Sequence, residues 1–179
     1  MKLSLSENLL EASVGLATIN ALVNQKCKTA IGGDILTVMK TGNTDTVGMI
    51  GFFGPLVEPL KKSVKKLYIF EEKSISDCPD VYPAEKTTEI LPLCNVVILS
   101  ATTLINKTID RLLSQAKDAR NIIIVGASTP LLPRIFSKRG VTLLSGVQVV
   151  DSARVLQIVS EGGGMRAFKQ SIKKVNLVL

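Results

Sequence analysis

The stretch SATTLINKT, residues 100–108, gathers four hydroxyl side chains and an amide, Ser100, Thr102, Thr103, Thr108 and Asn106, where an apolar run gives way to a helix. Donors and acceptors without net charge suit a neutral or zwitterionic heterocycle or sugar hydroxyls. Free backbone N–H groups at the helix start could also hold an anion. For any one residue a local role is the better reading, with Thr103 or Asn106 as an N-cap and Thr108 packed on a sheet, whereas for the cluster as a whole a cleft is. GASTP, residues 126–130, allows the same pair of readings, with Ser128 or Thr129 capping a helix that begins at Pro130.

A third turn, GFFGP at 51–55, contributes Gly51, Phe52 and Gly54. A strand, a glycine turn and an acid, Glu71, about 20 residues later match the outline of the dinucleotide fingerprint. The match fails at the central glycine, because Phe52 or Phe53 stands where the backbone must approach a pyrophosphate. Conventional dinucleotide binding is therefore not expected. A metal site is a sharper idea: Cys78 lies between Asp77 and Asp80, just after Glu71 and Glu72, so a thiolate and carboxylates could gather near one loop. The plain alternative is a set of solvated loop acids.

Histidine is absent from the 179 residues, which removes Ser-His-Asp and Cys-His nucleophile pairs and histidine-ligated metal centres. Three cysteines, Cys27, Cys78 and Cys94, lie far apart and fit reduced thiols better than a disulfide framework. Cys94, at the entrance to a buried strand, is expected in the core. The net charge of +7 raises nucleic acid as a partner, but the basic residues are scattered on helical pieces without interleaved aromatics. Solvated helix faces explain them, and no nucleic acid is expected. No apolar run approaches the roughly 18 residues of a membrane span, and the N-terminus lacks a signal peptide's apolar stretch. A cytoplasmic protein without membrane association is the expectation.

These turns need elements to position them. Apolar runs rich in β-branched residues at 47–53, 67–70, 96–99, 122–125 and 141–144 read as parallel strands covered on both faces. Helical stretches are expected around 59–65, 84–91, 105–117, 130–138 and 152–161, with Pro59 at a first helical position. Strict alternation predicts an α/β, Rossmann-like, doubly wound parallel sheet of order about 2-1-3-4-5. The polar turns all follow strands, as do Glu71 and the SGVQVVD segment ending in Asp151, whereas the opposite ends carry ordinary connectors. Ligands of such sheets collect at the carboxyl ends of the strands.

Ahead of the sheet, residues 4–25 read as a helix capped by Ser4 with Glu7 as a capping box. It is apolar nearly all round, so it should be buried between layers or against a partner. Residues 1–30 thus form an N-terminal connecting helix, and residues 31–179 the Rossmann-like domain. The final VNLVL is expected to be an edge strand.

EASVGLATINA (11–21), VGMIGFFGPL (47–56), ILPLCNVVILSATTLINKT (90–108), NIIIVGASTPLLP (121–133), LSGVQVVD (144–151) and the EGGG with its basic tail resemble a family labelled putative heavy-metal-chelation domain. The resemblance implies an enolase-N-terminal-like domain ahead of a Rossmann-like domain, with the site in the cleft between them. Here only the connecting helix of the leading part is recognisable, and Phe52 stands where members often carry a histidine. Ser13 and Asn20 match family positions and could face the cleft, though packing explains them equally well.

The combined expectation is a domain that binds a small molecule or metal complex through Gly51, Phe52, Gly54, Glu71, Thr102, Thr103, Asn106, Ser128, Thr129 and Asp151. It would work as a homo-oligomer or with a separately encoded leading domain. Two alternatives stand beside it: an enzyme acting on a heterocyclic or nucleotide-like ligand with Asp151 or Glu71 as acid or base, and an interaction subunit. Neither a cofactor nor a ligand identity follows from the residues.

Overall fold

A computed structural model describes residues 2–25, 30–71 and 80–179. The five expected strands are present as β2 (Thr46–Ile50), β3 (Lys66–Glu71), β5 (Val96–Ser100), β6 (Asn121–Val125) and β7 (Leu143–Val149). They are joined by β1 (Ile31–Gly32), β4 (Val81–Pro83) and β8 (Ile172–Val178) in one sheet of order β1-β8-β7-β6-β5-β2-β3-β4. The five central strands therefore run in the expected 2-1-3-4-5 order. β8 is antiparallel to β7 and β1 is antiparallel to β8, while the other pairs are parallel.

The apolar runs are continuous because alternate side chains enter two separate cores. Val97, Leu99, Ile122 and Ile124 face one core with α4 (Ile109–Gln115) and Phe136 of α5 (Pro133–Phe136). Val96, Ile98, Ile123 and Val125 face the other, covered by α2 (Gly54–Ser63) and by Ile35 and Met39. Cys94 is buried in the first core, as expected, and burial pushes its thiol up to about 11. That keeps it protonated and packed. Cys27 and Cys78 lie outside the described residues.

The amino ends of the strands are fastened by a polar clasp. Asp45, just before β2 and 2% exposed, accepts hydrogen bonds from Gly42 N at 2.7 Å, Asn95 Nδ2 at 3.0 Å and Arg120 NH2 at 2.6 Å. Its carbonyl accepts from Lys65 N and Lys66 N, so one residue ties the turn at 42–45 to β3, β5 and β6. Burial alone would raise its carboxyl pKa. Arg120, the Gly42 N–H and Asn95 outweigh that effect and hold it below the ordinary range.

Several local expectations are corrected. The first helix, α1 (Leu9–Val23), begins at Asn8, whose side chain accepts from Leu10 N and Glu11 N, and not at Ser4. Residues 2–5 instead form a 3-10 turn lying against α1. Gly15 makes that possible, since a Cβ there would sit 2.2 Å from Ser4 N. α1 is not sandwiched between layers: Ala12, Gly15 and Leu16 are buried, but Leu9, Leu10, Val14 and Leu22 are exposed.

Pro59 lies inside α2, and Pro55 takes the first turn; both point to solvent, where a missing N–H costs least. α5 starts at Pro133, so neither Ser128 nor Thr129 caps it. The VNLVL run lies in β8, one strand in from the edge, because the short β1 covers it. β7 runs on to Val149, past the polar Ser145 and Gly146, because antiparallel pairing with β8 continues to Val149 opposite Ile172.

Candidate functional site

The winding direction reverses between β2 and β5, which leaves a crevice at their carboxyl ends. Its lips are Gly51 and Ser100. Gly51 has φ +90, and a Cβ there would lie 3.1 Å from that of Ser100, so only glycine brings the two turns this close. Across the lip, Ser100 Oγ and Thr102 Oγ1 share a hydrogen bond of 2.7 Å, and Thr103 Oγ1 donates to Ser100 O at 2.6 Å. Ser100 Oγ also accepts from Thr102 N and so caps the 3-10 turn Ala101–Leu104, whereas α4 follows Thr108 and neither Thr103 nor Asn106 is its N-cap. Asn106 Oδ1 accepts from Thr108 Oγ1 at 2.7 Å, setting the start of α4.

Two hollows flank this lip, one on each face of the sheet. The first, about 450 Å³, lies on the α2 face among Ile35, Phe53, Leu56, Ser128, Ser145 and Val147. The second, about 390 Å³, lies on the α4 face and takes in Gly51, Glu71, Thr103, Asn106 and Arg111. Ser100 and Thr102 line both. A third hollow, about 470 Å³, opens beneath α1 and shares Ala127, Ser128 and Val147 with the first. Each has the size of a small-molecule site.

Thr102 and Ser128 thus stand at junctions between hollows, and Gly51, Glu71, Thr103 and Asn106 come together in the second. Phe52 is 40% exposed and lines none of the three hollows, while Phe53 forms a wall without closing the first. Gly54 opens α2 behind Phe52. Thr129 is fully buried beneath the turn, its hydroxyl without a partner among the described residues. Asp151 caps α6 (Ser152–Ser160) by accepting from Arg154 N at 2.9 Å; it is exposed and lines none of these hollows.

α1 is tied to the site by two amides that composition alone does not single out. Asn20 Nδ2 donates to Ser128 O at 2.9 Å, Asn24 Nδ2 donates to Thr129 O at 2.8 Å, and Asn24 Oδ1 accepts from Leu131 N at 2.7 Å. The Asn20 Oδ1 atom is buried without a partner among the described residues, and Asn20 and Ser13 both line the hollow under α1. Asp34, Ser145 and Lys174 in the first hollow and Arg111 in the second were also missed. Lys174 reaches the site only through the β7–β8 pairing, where it sits opposite Val147.

A pyrophosphate would find few donors at the first turn. Phe52 N donates to Glu71 Oε2 at 2.9 Å, Leu56 N donates to Phe53 O at 2.8 Å, and Pro55 has no N–H. Glu71 holds the turn in place where a dinucleotide-binding acid would hold a ribose.

The chain's sequence from residue 34 to 178 matches the family model DUF364, described as "Putative heavy-metal chelation". This chain belongs to that family. It is 30% identical to an uncharacterized protein of Methanocaldococcus jannaschii over 96% of its own length and 68% of the relative's. Two crystal structures of DUF364 proteins with unknown function resemble it. One, from Pyrococcus horikoshii, has a TM-score of 0.88 at 27% identity, covering 97% of this chain and 71% of that one. The other, from Desulfitobacterium hafniense, has a TM-score of 0.84 at 33% identity, covering 97% and 70%.

Among the described residues no three His, Cys, Asp or Glu side chains gather. Asp80 of the SDCPD motif is ion-paired with Lys61 at 2.6 Å, while Glu72, Asp77 and Cys78 lie outside the described residues. Among the described residues, no helix is long and apolar enough to cross a membrane.

Proposed function

We propose that this chain is a ligand-binding domain that takes a small molecule, or a metal already held in a complex, at the carboxyl ends of its strands. One observation carries the reading: turns from β2, β5 and β6, with the far part of β7, surround adjoining hollows that share Ser100 and Thr102. Hydroxyls and amides supply orientation there, and Ile35, Phe53, Leu56 and Val147 supply apolar contact. Enzymatic action finds less support, because Asp151 stands on an exposed corner and Glu71 is engaged with the Phe52 N–H. Native mass spectrometry of the purified full chain tests the reading. A discrete co-purifying molecule of a few hundred daltons that leaves on denaturation is expected, and its loss in Ala127→Trp would place it in the first hollow or the adjoining one under α1, which share that residue. A chain that carries and takes up no small molecule would contradict the proposal.

A second reading is favoured by the exposed apolar side of α1 and the turn before it, where Leu5 is 78%, Leu10 74% and Leu22 67% exposed. Large apolar side chains left in solvent along one helix are a feature of interfaces. Another copy of the chain would cover it. Sedimentation velocity of the isolated chain should show concentration-dependent association that Leu10→Lys abolishes. A monomer at all concentrations, indifferent to Leu10→Lys, would count against self-association.

A further inference from the structure

We propose that the first hollow selects an organic anion: an apolar or aromatic body with an acidic group directed at Lys174. The inference rests on the reading of that hollow as a ligand site and adds its charge preference. Two charged side chains line the hollow, Asp34 and Lys174. Asp34 is committed, since its Oδ1 accepts the Leu36 N–H at 3.0 Å and starts the 3-10 turn Ile35–Thr37. Lys174 is uncommitted: the ion pairs among the described residues are Lys61–Asp80, Lys86–Glu89, Arg120–Asp45 and Arg139–Asp110.

The second hollow repeats the pattern, with Glu71 bonded to the Phe52 N–H and Arg111 outside every one of those pairs. In both hollows the acid is used to hold a backbone turn and the base is left to a guest. A carboxylate, sulfonate or phosphate on the guest would meet an ammonium, with the Ser128 and Ser145 hydroxyls on the same wall able to donate. A naked metal cation would meet that ammonium as a like charge, with Asp34, one oxygen of which is already engaged, as the single carboxylate lining the hollow among the described residues. The walls of Ile35, Phe53 and Val147 give such an anion its apolar seat.

The test compares two fluorescent probes with one aromatic body, 8-anilinonaphthalene-1-sulfonate and the uncharged N-phenyl-1-naphthylamine, titrated into the full chain at low salt. The sulfonate should bind about fivefold more tightly than the neutral probe, the scale of one exposed ion pair. Lys174→Gln should erase that advantage without moving the neutral probe, Lys174→Arg should retain it, and added salt should shrink it. Ala127→Trp, checked for folding by circular dichroism, should weaken both probes together; Ser128→Trp replaces it if it does not fold. Equal affinities in the wild type, or a sulfonate advantage that survives Lys174→Gln, overturn the anion preference and leave the hollow as a ligand site. Failure of both probes to bind, or binding indifferent to the tryptophan variant, overturns the hollow itself and the preference with it.

Discussion

Asp45→Ala should cost the fold about 3 kcal/mol, a large fraction of a typical domain's stability. The substitution removes a carboxylate that is nearly inaccessible and leaves three donors facing its place: the Gly42 N–H, the Asn95 amide and the Arg120 guanidinium. The first two lose a partner in a partly buried setting. Arg120, whose side chain is 48% exposed, regains water and softens the loss. Urea denaturation is the check, with a midpoint shift of about 1.5 M expected at an m-value of about 2 kcal/mol/M. A loss under about 1 kcal/mol would mean the clasp does not hold the strand ends.

The same carboxylate gives the fold a specific acid sensitivity. Its partners hold the folded pKa below the ordinary aspartate range, so the unfolded chain binds the proton more readily. Its stabilising contribution is therefore complete above the unfolded pKa of about 3.9 and is lost as pH falls through the lower folded value. Wild-type stability should fall more steeply than that of Asp45→Ala as pH drops below about 4. Parallel curves would deny the clasp its electrostatic part.

Asn24→Ala carries the second large effect, about 2–3 kcal/mol, because it leaves both Thr129 O and Leu131 N without their side-chain partner. Asn24 is 9% exposed, so water replaces it poorly. The consequence reaches the site, since Asn24 and Asn20 together fix the turn that separates the first hollow from the one under α1. Hydrogen exchange should quicken at residues 126–131 beyond the general rise that follows lowered stability. Asn24→Asp keeps the acceptor for Leu131 N but turns a carboxylate oxygen on Thr129 O, so at neutral pH it should do at least as much damage. Unchanged exchange in Asn24→Ala would show that α1 merely rests on the domain.

The architecture was readable because both faces of the sheet are covered. Runs such as 96–99 and 122–125 alternate between two cores, and a chain that must fill both shows uninterrupted apolar residues. Element ends were less readable. Ser4 and Asn8 are both good caps by type, and the choice fell to Asn8 because Ser4 is packed in a 3-10 turn against Gly15. Ser145 looked like a turn residue until the antiparallel partner β8 extended its strand.

The turns of the site could be found from the sequence because they follow strands. Lys174, Asn24 and Asp34 could not, since each arrives by long-range packing that leaves no local pattern. Asp151 shows the converse: a polar residue just after a strand serves as a helix cap turned to solvent.

Amide chemical-shift mapping of the full chain by NMR, with 8-anilinonaphthalene-1-sulfonate as the guest, tests most directly whether the polar turns form one binding place. The expected shifts cluster at residues 51–54, 100–103, 126–129 and 145–147, and they disappear in Ala127→Trp. Shifts confined to the exposed side of α1, or scattered over the surface with those four segments silent, would contradict the account.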